Sequence, residues 1–199
     1  MMQSTVAEKK TWTVEEYLEL EKNSEIKHEY YFGKIIEMPG EAKRANEIVN
    51  NCLEILRKPL RKRAVKTYTH DIKLAVDPRF IYRYPDLVAA PVADDEDEFM
   101  VLQPVLTVEV ASENSAFTDS VTKMLEYTKI PTLQYYLIVY QDKVVVNFHK
   151  NKDGKWLTET LTKLTDEVSL DLFDLKFTLA DIYEGALPPE EPVSQTVNP

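Results

Sequence analysis

The sequence predicts one domain of the α/β class, an α+β arrangement built on a mixed sheet. Three observations predict this class: short runs rich in Val, Leu and Ala that are typical of buried strands, stretches with helical spacing of apolar residues, and turn signals between them. The chain of 199 residues is long enough for one domain with a sizeable core and shows no internal repeats. The predicted order is a helix and a hairpin, then α-β-β-β-α-β, then a C-terminal β-hairpin.

Capping, turn and periodicity signals predict the elements of the N-terminal half. Thr13 and Glu16 have the spacing of a capping box, and Gly33 marks the turn of a hairpin. A second helix has one broad apolar face, and Pro59 is expected to end or kink it. The predicted ranges are a flexible arm over 1–11, a helix over 14–22, a hairpin over 27–38 and a helix over 42–57.

Strand signals dominate the C-terminal half. Pro131 is expected to end a helix before it, and Asp153 with Gly154 signals a hairpin. The predicted ranges are strands over 65–76, 84–91 and 104–111, a helix over 117–129, strands over 133–140, 144–149 and 155–163, and a helix over 178–184. A Pro-rich tail over 186–199 is expected to be disordered, so the domain itself is expected to span 12–185.

The overall composition indicates an ordinary globular protein, with 44% apolar and 29% charged residues. No apolar run approaches the roughly 20 residues needed to span a bilayer, and the N-terminus lacks the apolar segment of a signal peptide. The single Cys52 has no intrachain partner and is expected to be a small buried residue. We therefore expect a cytoplasmic protein without membrane contact.

The charge distribution is uneven. A net charge of −10 counts against an obvious nucleic-acid binder, because such proteins usually carry a basic footprint. Residues 94–98 form an unbroken acidic run, which we expect in solvent. Residues 57–66 carry six Lys and Arg side chains and no acid. Two interpretations of this basic stretch remain open: a solvated helix end that complements the helix dipole, or a patch that contacts phosphates.

Two of the predicted strands each carry one carboxylate in an apolar run. Asp86 directly precedes Leu87, and Glu109 lies between Val108 and Val110. A buried unpaired charge costs several kcal/mol, so two such acids on neighbouring strands predict a site for a hard divalent cation. Lys123 follows fourteen residues after Glu109, one turn into the next helix. These three residues are a complete set for metal-assisted phosphodiester hydrolysis.

The chemistry of that reaction requires few protein groups. Mg²⁺ takes oxygen ligands and keeps several waters, so two carboxylates and a phosphate oxygen suffice. A lysine near the attacking water can orient it and offset charge in the transition state. Other interpretations remain open from the residues alone: Asp86 and Glu109 could face solvent, and Lys123 could pair with Asp119 or Tyr127 along its helix.

Six runs lie in order along the domain: HEYYFGKIIEM at 28–38, YPD at 84–86, VEVAS at 108–112, D-x-x-x-K-x-x-x-Y at 119–127, IPTLQYYLIV at 130–139 and LADIYEG at 179–185. Together they resemble the Uma-type family of restriction endonucleases, within the PD-(D/E)XK nuclease-like superfamily. The resemblance covers about residues 12–185. It implies a restriction-endonuclease-like fold and a Mg²⁺- or Mn²⁺-dependent endonuclease that acts on DNA.

The resemblance also assigns roles to individual residues. Asp86 and Glu109 match the metal-binding acids of the family, and Lys123 matches the place of its lysine in the following helix. The chain departs from the superfamily motif at Ala111, where Glu-x-Lys would require a lysine. It departs again at Ala45, where many relatives have a histidine.

Two functions remain open. The first is a divalent-metal-dependent endonuclease that hydrolyses phosphodiester bonds in DNA, with RNA or nucleotide processing as a variant of it. The alternative is a catalytically silent fold that acts as an interaction or nucleic-acid-binding module. A homodimer is expected if residues 144–146 and the C-terminal hairpin expose an apolar edge. Asp71 is expected either as an outer metal ligand or as a partner of Arg83, and Glu29 is a weaker candidate for the site.

Overall fold

The computed structural model describes residues 10–92, 97–112 and 118–188. The helices are α1 (Val14–Asn23), α2 (Lys43–Arg61), α3 (Met124–Tyr127) and α4 (Leu179–Ile182), with a π-helical turn over Thr118–Lys123 and a 3-10 turn over Asp171–Phe173. The strands are β1 (His28–Tyr31), β2 (Lys34–Glu37), β3 (Val65–Thr69), β4 (Lys73–Asp77), β5 (Ile81–Arg83), β6 (Leu87–Pro91), β7 (Met100–Val101), β8 (Leu106–Ala111), β9 (Tyr135–Tyr140), β10 (Val146–Lys152), β11 (Lys155–Leu161), β12 (Glu167–Leu170) and β13 (Leu175–Thr178).

A six-stranded mixed sheet forms the centre of the domain, in the order β11-β10-β9-β8-β6-β3. Only β8 and β9 within it are parallel, and the chain between them carries α3. Both faces of this sheet are covered. Helix α2 packs on one face, where Leu56 and Val108 belong to the larger core cluster, and Ala111, Tyr127 and Tyr136 belong to a second cluster on the other. Burial on both faces explains why these strands lack a strict polar alternation.

A five-stranded sheet, in the order β2-β1-β5-β4-β7, lies beside the first. Helix α1 packs on it through three tyrosines: the ring centroids of Tyr17 and Tyr30 are 5.1 Å apart, and those of Tyr17 and Tyr82 are 5.4 Å apart. The capping box predicted for this helix is present, because Thr13 Oγ1 accepts from the Glu16 amide and Glu16 accepts from the Thr13 amide. Glu29 of β1 lies 3.5 Å from Lys123, which also contacts Glu109 of β8 in the six-stranded sheet.

Helix α2 differs from the prediction at its C-terminal end. It continues through Pro59 to Arg61 instead of ending before the proline. Pro59 removes one amide donor from the helix, but Leu56 and Leu60 are both fully buried on either side of it. Their burial holds the last turn in place, which local propensity alone does not predict.

The strand predicted over 65–76 is wrong as a single element. The chain breaks at His70, whose φ of 59° is in the left-handed region, so β3 and β4 belong to different sheets. The His70 amide donates to the Asp86 carbonyl at 3.2 Å, which fixes the break beside β6. The short strands β5 and β7 and the β12–β13 hairpin are also absent from the prediction.

The dimer expectation rested on an apolar edge or face at residues 144–146 and the C-terminal hairpin, and the dimer itself stays a prediction. Val146 is fully buried in the larger core cluster, and Val144 packs against that cluster. The side chains of these valines are therefore part of the core.

Among the described residues, no helix has the length and apolar character that crossing a bilayer requires. Three stretches with predictions lie outside the described residues: 1–9 of the arm, 189–199 of the tail and 94–96 of the acidic run.

Gly33→Ala is expected to destabilise the fold more than Gly154→Ala. Both glycines turn hairpins at φ +81°, so alanine at either costs about 1–2 kcal/mol of backbone strain. A Cβ at position 33 would also come within 2.5 Å of Thr11 Cγ2, whereas position 154 is open. This overlap should add about 1–3 kcal/mol, measured as the difference in unfolding free energy in urea. Equal losses in the two variants would contradict this packing.

Candidate active site

A cavity of about 570 Å³ lies where the two larger sheets meet. It is lined by β1, the connection after β2, the start of α2, the residues before β6, the end of β8 and the π-helical turn. Asp86, Glu109 and Lys123 all line it. The three residues singled out from the sequence therefore border one polar cavity.

Asp86 lies between β5 and β6 and is half-buried. Its Oδ2 accepts a hydrogen bond of 2.6 Å from the Val110 amide, which belongs to the neighbouring strand β8. Its carbonyl oxygen is held by the His70 amide. Contacts from β8 and from the break after β3 thus fix both the backbone and the carboxylate of Asp86.

Glu109 lies in the middle of β8 and is 3% exposed. It points away from the α2 face of the sheet, as the alternation with Val108 predicts. The face of the sheet on which Glu109 lies, opposite α2, is not open to solvent, because α3 covers it. Lys123 Nζ donates to Glu109 Oε2 at 2.9 Å, and the Tyr127 hydroxyl donates to Oε1 at 2.7 Å. A cation and a hydroxyl therefore compensate the buried charge.

Lys123 is the last residue of the π-helical turn and is 7% exposed. Besides Glu109, its ammonium lies 3.5 Å from Glu29 Oε1. Residues four apart on a helix lie on one face, so Lys123 and Tyr127 reach the same carboxylate together. Of the two helical partners predicted as alternatives for Lys123, Tyr127 meets it at Glu109, to which both side chains donate. The side chain of the other, Asp119, lies outside the described residues.

A buried ion-pair network adjoins these residues, and local sequence signals do not predict it. Arg83, 2% exposed, donates to Glu126 in a bidentate pair at 2.9 and 2.7 Å and to Glu29 at 2.6 Å. Glu29 is the only one of the three that was considered for the site. Glu126 lies three residues after Lys123, a spacing that on an exposed helix predicts only a surface acid. Asp71, predicted either as an outer metal ligand or as a partner of Arg83, is exposed, and Arg83 pairs with Glu29 and Glu126.

The environment of each group determines its protonation. Burial alone would raise the pKa of the Glu29 carboxyl, but the positive charges of Lys123 and Arg83 outweigh it and hold that pKa below its ordinary value. Burial opposes the charge on Arg83 too, but its hydrogen bonds and charge interactions with Glu126 and Glu29 raise its pKa. Burial, followed by the charge of Glu109, raises the pKa of Tyr127 well above its ordinary value. Tyr127 is therefore a neutral hydrogen-bond donor at physiological pH.

The two departures from the family motif are visible as packing. Ala111 is fully buried in the second core cluster, on the same face of β8 as Glu109. A lysine there would have to displace core side chains, and Lys123 approaches Glu109 from the helix instead. Ala45 is 6% exposed and lines the cavity, so α2 contributes a methyl group where a histidine would place an imidazole.

The donor set fits a cation that takes few protein ligands. Among the described residues, no group of three or more His, Cys, Asp or Glu side chains is arranged to hold a metal ion. Mg²⁺ is commonly bound through one or two carboxylates, substrate phosphates and several waters. Asp86 and Glu109 supply two such carboxylates at one cavity. Each carboxylate oxygen has two lone pairs, so Glu109 can keep its hydrogen bonds while an oxygen serves as a ligand.

The sequence profile of the family Uma2, described as "putative restriction endonuclease", matches residues 14–181 of the chain. The chain belongs to the Uma2 family. Two relatives from Synechocystis sp. are each 31% identical to it: uncharacterized protein slr1290 over 86% of the chain and 90% of the relative, and uncharacterized protein sll1609 over 81% and 92%. The Uma2 match covers the segments that hold the cavity residues.

The fold of this Uma2 protein is shared with a solved structure. A crystal structure described as a "putative nuclease belonging to DUF820" from Anabaena variabilis superposes with a TM-score of 0.74 at 19% identity. The superposition covers 88% of this chain and 99% of that chain. The expected restriction-endonuclease-like α/β fold is confirmed, with its sheets and few helices.

Proposed function

We propose that this protein is a divalent-metal-dependent endonuclease that hydrolyses phosphodiester bonds in DNA. One observation supports it above all: Asp86, Glu109 and Lys123 line one cavity, and Lys123 donates directly to Glu109. Carboxylates next to a buried lysine are the groups that this reaction needs. The restriction-endonuclease-like fold and the family description support DNA as the substrate.

Each residue has a distinct role in the proposed reaction. Hydrolysis adds the oxygen of a water to phosphorus and breaks one P–O ester bond, and the departing oxygen takes up a proton. Asp86 and Glu109 would hold Mg²⁺ or Mn²⁺, which when bound polarises the phosphoryl oxygen and acidifies the attacking water. Lys123 hydrogen-bonds a water or phosphate oxygen in the cavity and offsets the negative charge that develops on the phosphoryl group. Tyr127 and Lys123 fix the orientation of Glu109.

Asp86→Asn and Glu109→Gln are each expected to reduce DNA cleavage by at least about 10²–10³-fold, because each removes one charge from the cation site. Cleavage of supercoiled and linear duplex DNA with Mn²⁺ or Mg²⁺, with EDTA as the blank, measures this. Asp153→Asn is the matched control, since Asp153 is an exposed turn residue far along the chain, between β10 and β11. Cleavage that persists equally in all three variants would refute the proposal.

A second function is favoured by the internal pairing of the site. Both oxygens of Glu109 already accept hydrogen bonds from the protein, as expected for a silent interaction module that no longer binds a cation. Calorimetric titration with Mn²⁺ separates the two functions. Binding that is lost in Asp86→Asn supports the nuclease, and no binding to the wild type supports the silent module.

A further inference from the structure

A surface distant from the cavity carries an unusual concentration of positive charge. The basic patch is defined by six exposed side chains, Arg57, Lys58, Arg61, Lys62, Arg63 and Lys66. They lie on the end of α2, the turn after it and the start of β3. The whole chain carries a net charge of −10, so removing these six positive charges leaves −16 for all other residues. The patch is therefore a local reversal of the sign of the surface.

The backbone holds the patch in a fixed arrangement. Leu56 and Leu60, both fully buried, anchor the last turns of α2 and direct the neighbouring cations outward. The turn after the helix contains Ala64 at a φ of 55°, and the Ala64 carbonyl accepts from the Val92 amide at 2.9 Å. Rigid elements position side chains better than loops do, so the six cations form a defined surface.

The cations of the patch have no acidic partner in the part of the chain that the structure describes. Among the described residues, the ion pairs involve other cations, and no acid lies within ion-pair distance of any patch residue. Arg57 and Arg61, like Lys58 and Lys62, are four residues apart, where equal charges repel. A helix dipole attracts cations only within the last turn, so it does not account for Arg63 and Lys66.

The patch and the cavity lie at opposite ends of α2. Ala45 lines the cavity, and Arg57 and Arg61 follow it by twelve and sixteen residues. At 1.5 Å per residue, the two sites are about 18–24 Å apart along the helix axis. This distance corresponds to about five to seven base pairs of duplex DNA at 3.4 Å each.

We propose that the basic patch binds the phosphate backbone of duplex DNA at a distance from the bond that the cavity cleaves. This inference rests on the proposed nuclease function and gives it a second contact surface. Duplex DNA has a denser line of negative charge than a single strand, which suits six cations on one short segment. Contacts with phosphates position a duplex without reading its sequence. The rest of the surface is acidic and repels DNA, so the patch should limit the orientations in which DNA binds to the protein.

Neutralising the patch should weaken DNA binding and its salt dependence. In Arg57→Gln/Lys58→Gln/Arg61→Gln, the slope of log Kobs against log salt for a 20-base-pair duplex should become less steep by about 2–3, and Kd at 100 mM salt should rise at least about tenfold. Gln is a good helix former, so α2 should be retained. Fluorescence anisotropy in EDTA measures binding without cleavage, and thermal unfolding checks the fold.

Two further variants make the test specific. Lys62→Gln/Arg63→Gln/Lys66→Gln lies outside α2 and should show the same loss even if the first variant unfolds. The control Lys152→Gln/Lys155→Gln/Lys176→Gln removes three exposed charges elsewhere and should bind as the wild type does. Equal effects of patch and control variants would mean that only net charge matters, and would overturn the proposal.

The outcomes separate this inference from the nuclease proposal. DNA binding that depends on the patch, without any cleavage, supports the patch proposal and refutes the nuclease proposal. Cleavage together with binding that is unchanged in the patch variants supports the nuclease proposal and refutes the patch proposal. Tighter patch-dependent binding to a 20-base-pair RNA duplex would overturn the assignment to DNA. A salt-sensitive dimer in light scattering that the patch variants abolish, with DNA binding unchanged, would show that the patch binds a second copy of the chain instead.

Discussion

Arg83→Met is expected to lower the free energy of unfolding by about 3–5 kcal/mol, the usual cost of removing one partner from a buried ion pair. Arg83 compensates two carboxylates, Glu29 and Glu126, and all three side chains are at most 10% exposed. Methionine fills a similar volume but leaves both acids without the guanidinium. Urea denaturation at pH 7 measures the loss.

Arg79→Met is the matched control for this change. Arg79 also pairs with a carboxylate, that of Asp77, but its side chain is 77% exposed. Exposed pairs contribute little to stability, so the urea midpoint should stay close to that of the wild type. If the two arginine variants lost equal stability, or if Arg83→Met unfolded at the wild-type midpoint, the guanidinium of Arg83 would not be what compensates the two buried carboxylates.

Lys123→Met is expected to reduce DNA cleavage by about 10²–10³-fold, the range found when one preorganised donor to a transition state is removed. The side chain of Lys123 is 9% exposed and its ammonium is held by two carboxylates, so its position is set before substrate binds. kcat at saturating DNA and Mn²⁺ measures the change, and the patch-dependent Kd for DNA in EDTA shows whether binding survives.

The control for Lys123 lies six residues further along the same segment. Lys129→Met removes an exposed positive charge next to α3 and should leave kcat unchanged. Lys123→Arg keeps the charge but changes its geometry, so partial activity in that variant would indicate that position as well as charge matters. Full activity in Lys123→Met would remove the lysine from the proposed mechanism.

Local signals in the sequence predicted much of this fold. The capping box at Thr13 and Glu16 and the turn at Gly33 depend on neighbouring residues, and both were found as predicted. Asp86 and Glu109 were identified because isolated acids in apolar strands need a reason to be there. Their presence at one cavity follows from β6 and β8 being adjacent in the sheet.

The missed features depend on tertiary contacts. His70 lies at positive φ, where histidine is enriched among non-glycine residues but still uncommon, so its type is only a weak signal of the break between β3 and β4. Pro59 stays in α2 because Leu60 is buried against the sheet. Glu126 has the sequence context of a surface acid. It is part of the buried network because Arg83, on a strand distant in sequence, donates hydrogen bonds to it.

Glu109 and Lys123 are held in the site by different kinds of contact. Glu109 belongs to a central strand, where hydrogen bonds on both sides hold the backbone. Lys123 belongs to a short helical segment whose hold on the domain includes the Tyr127 hydroxyl and the hydrogen bond from Trp156 to the Thr128 carbonyl. The same segment is also held by the bidentate pair between Arg83 and Glu126 and by the fully buried ring of Tyr127. The place of the ammonium therefore depends on side-chain contacts between separate segments, whereas that of the carboxylate is fixed by the backbone of the sheet.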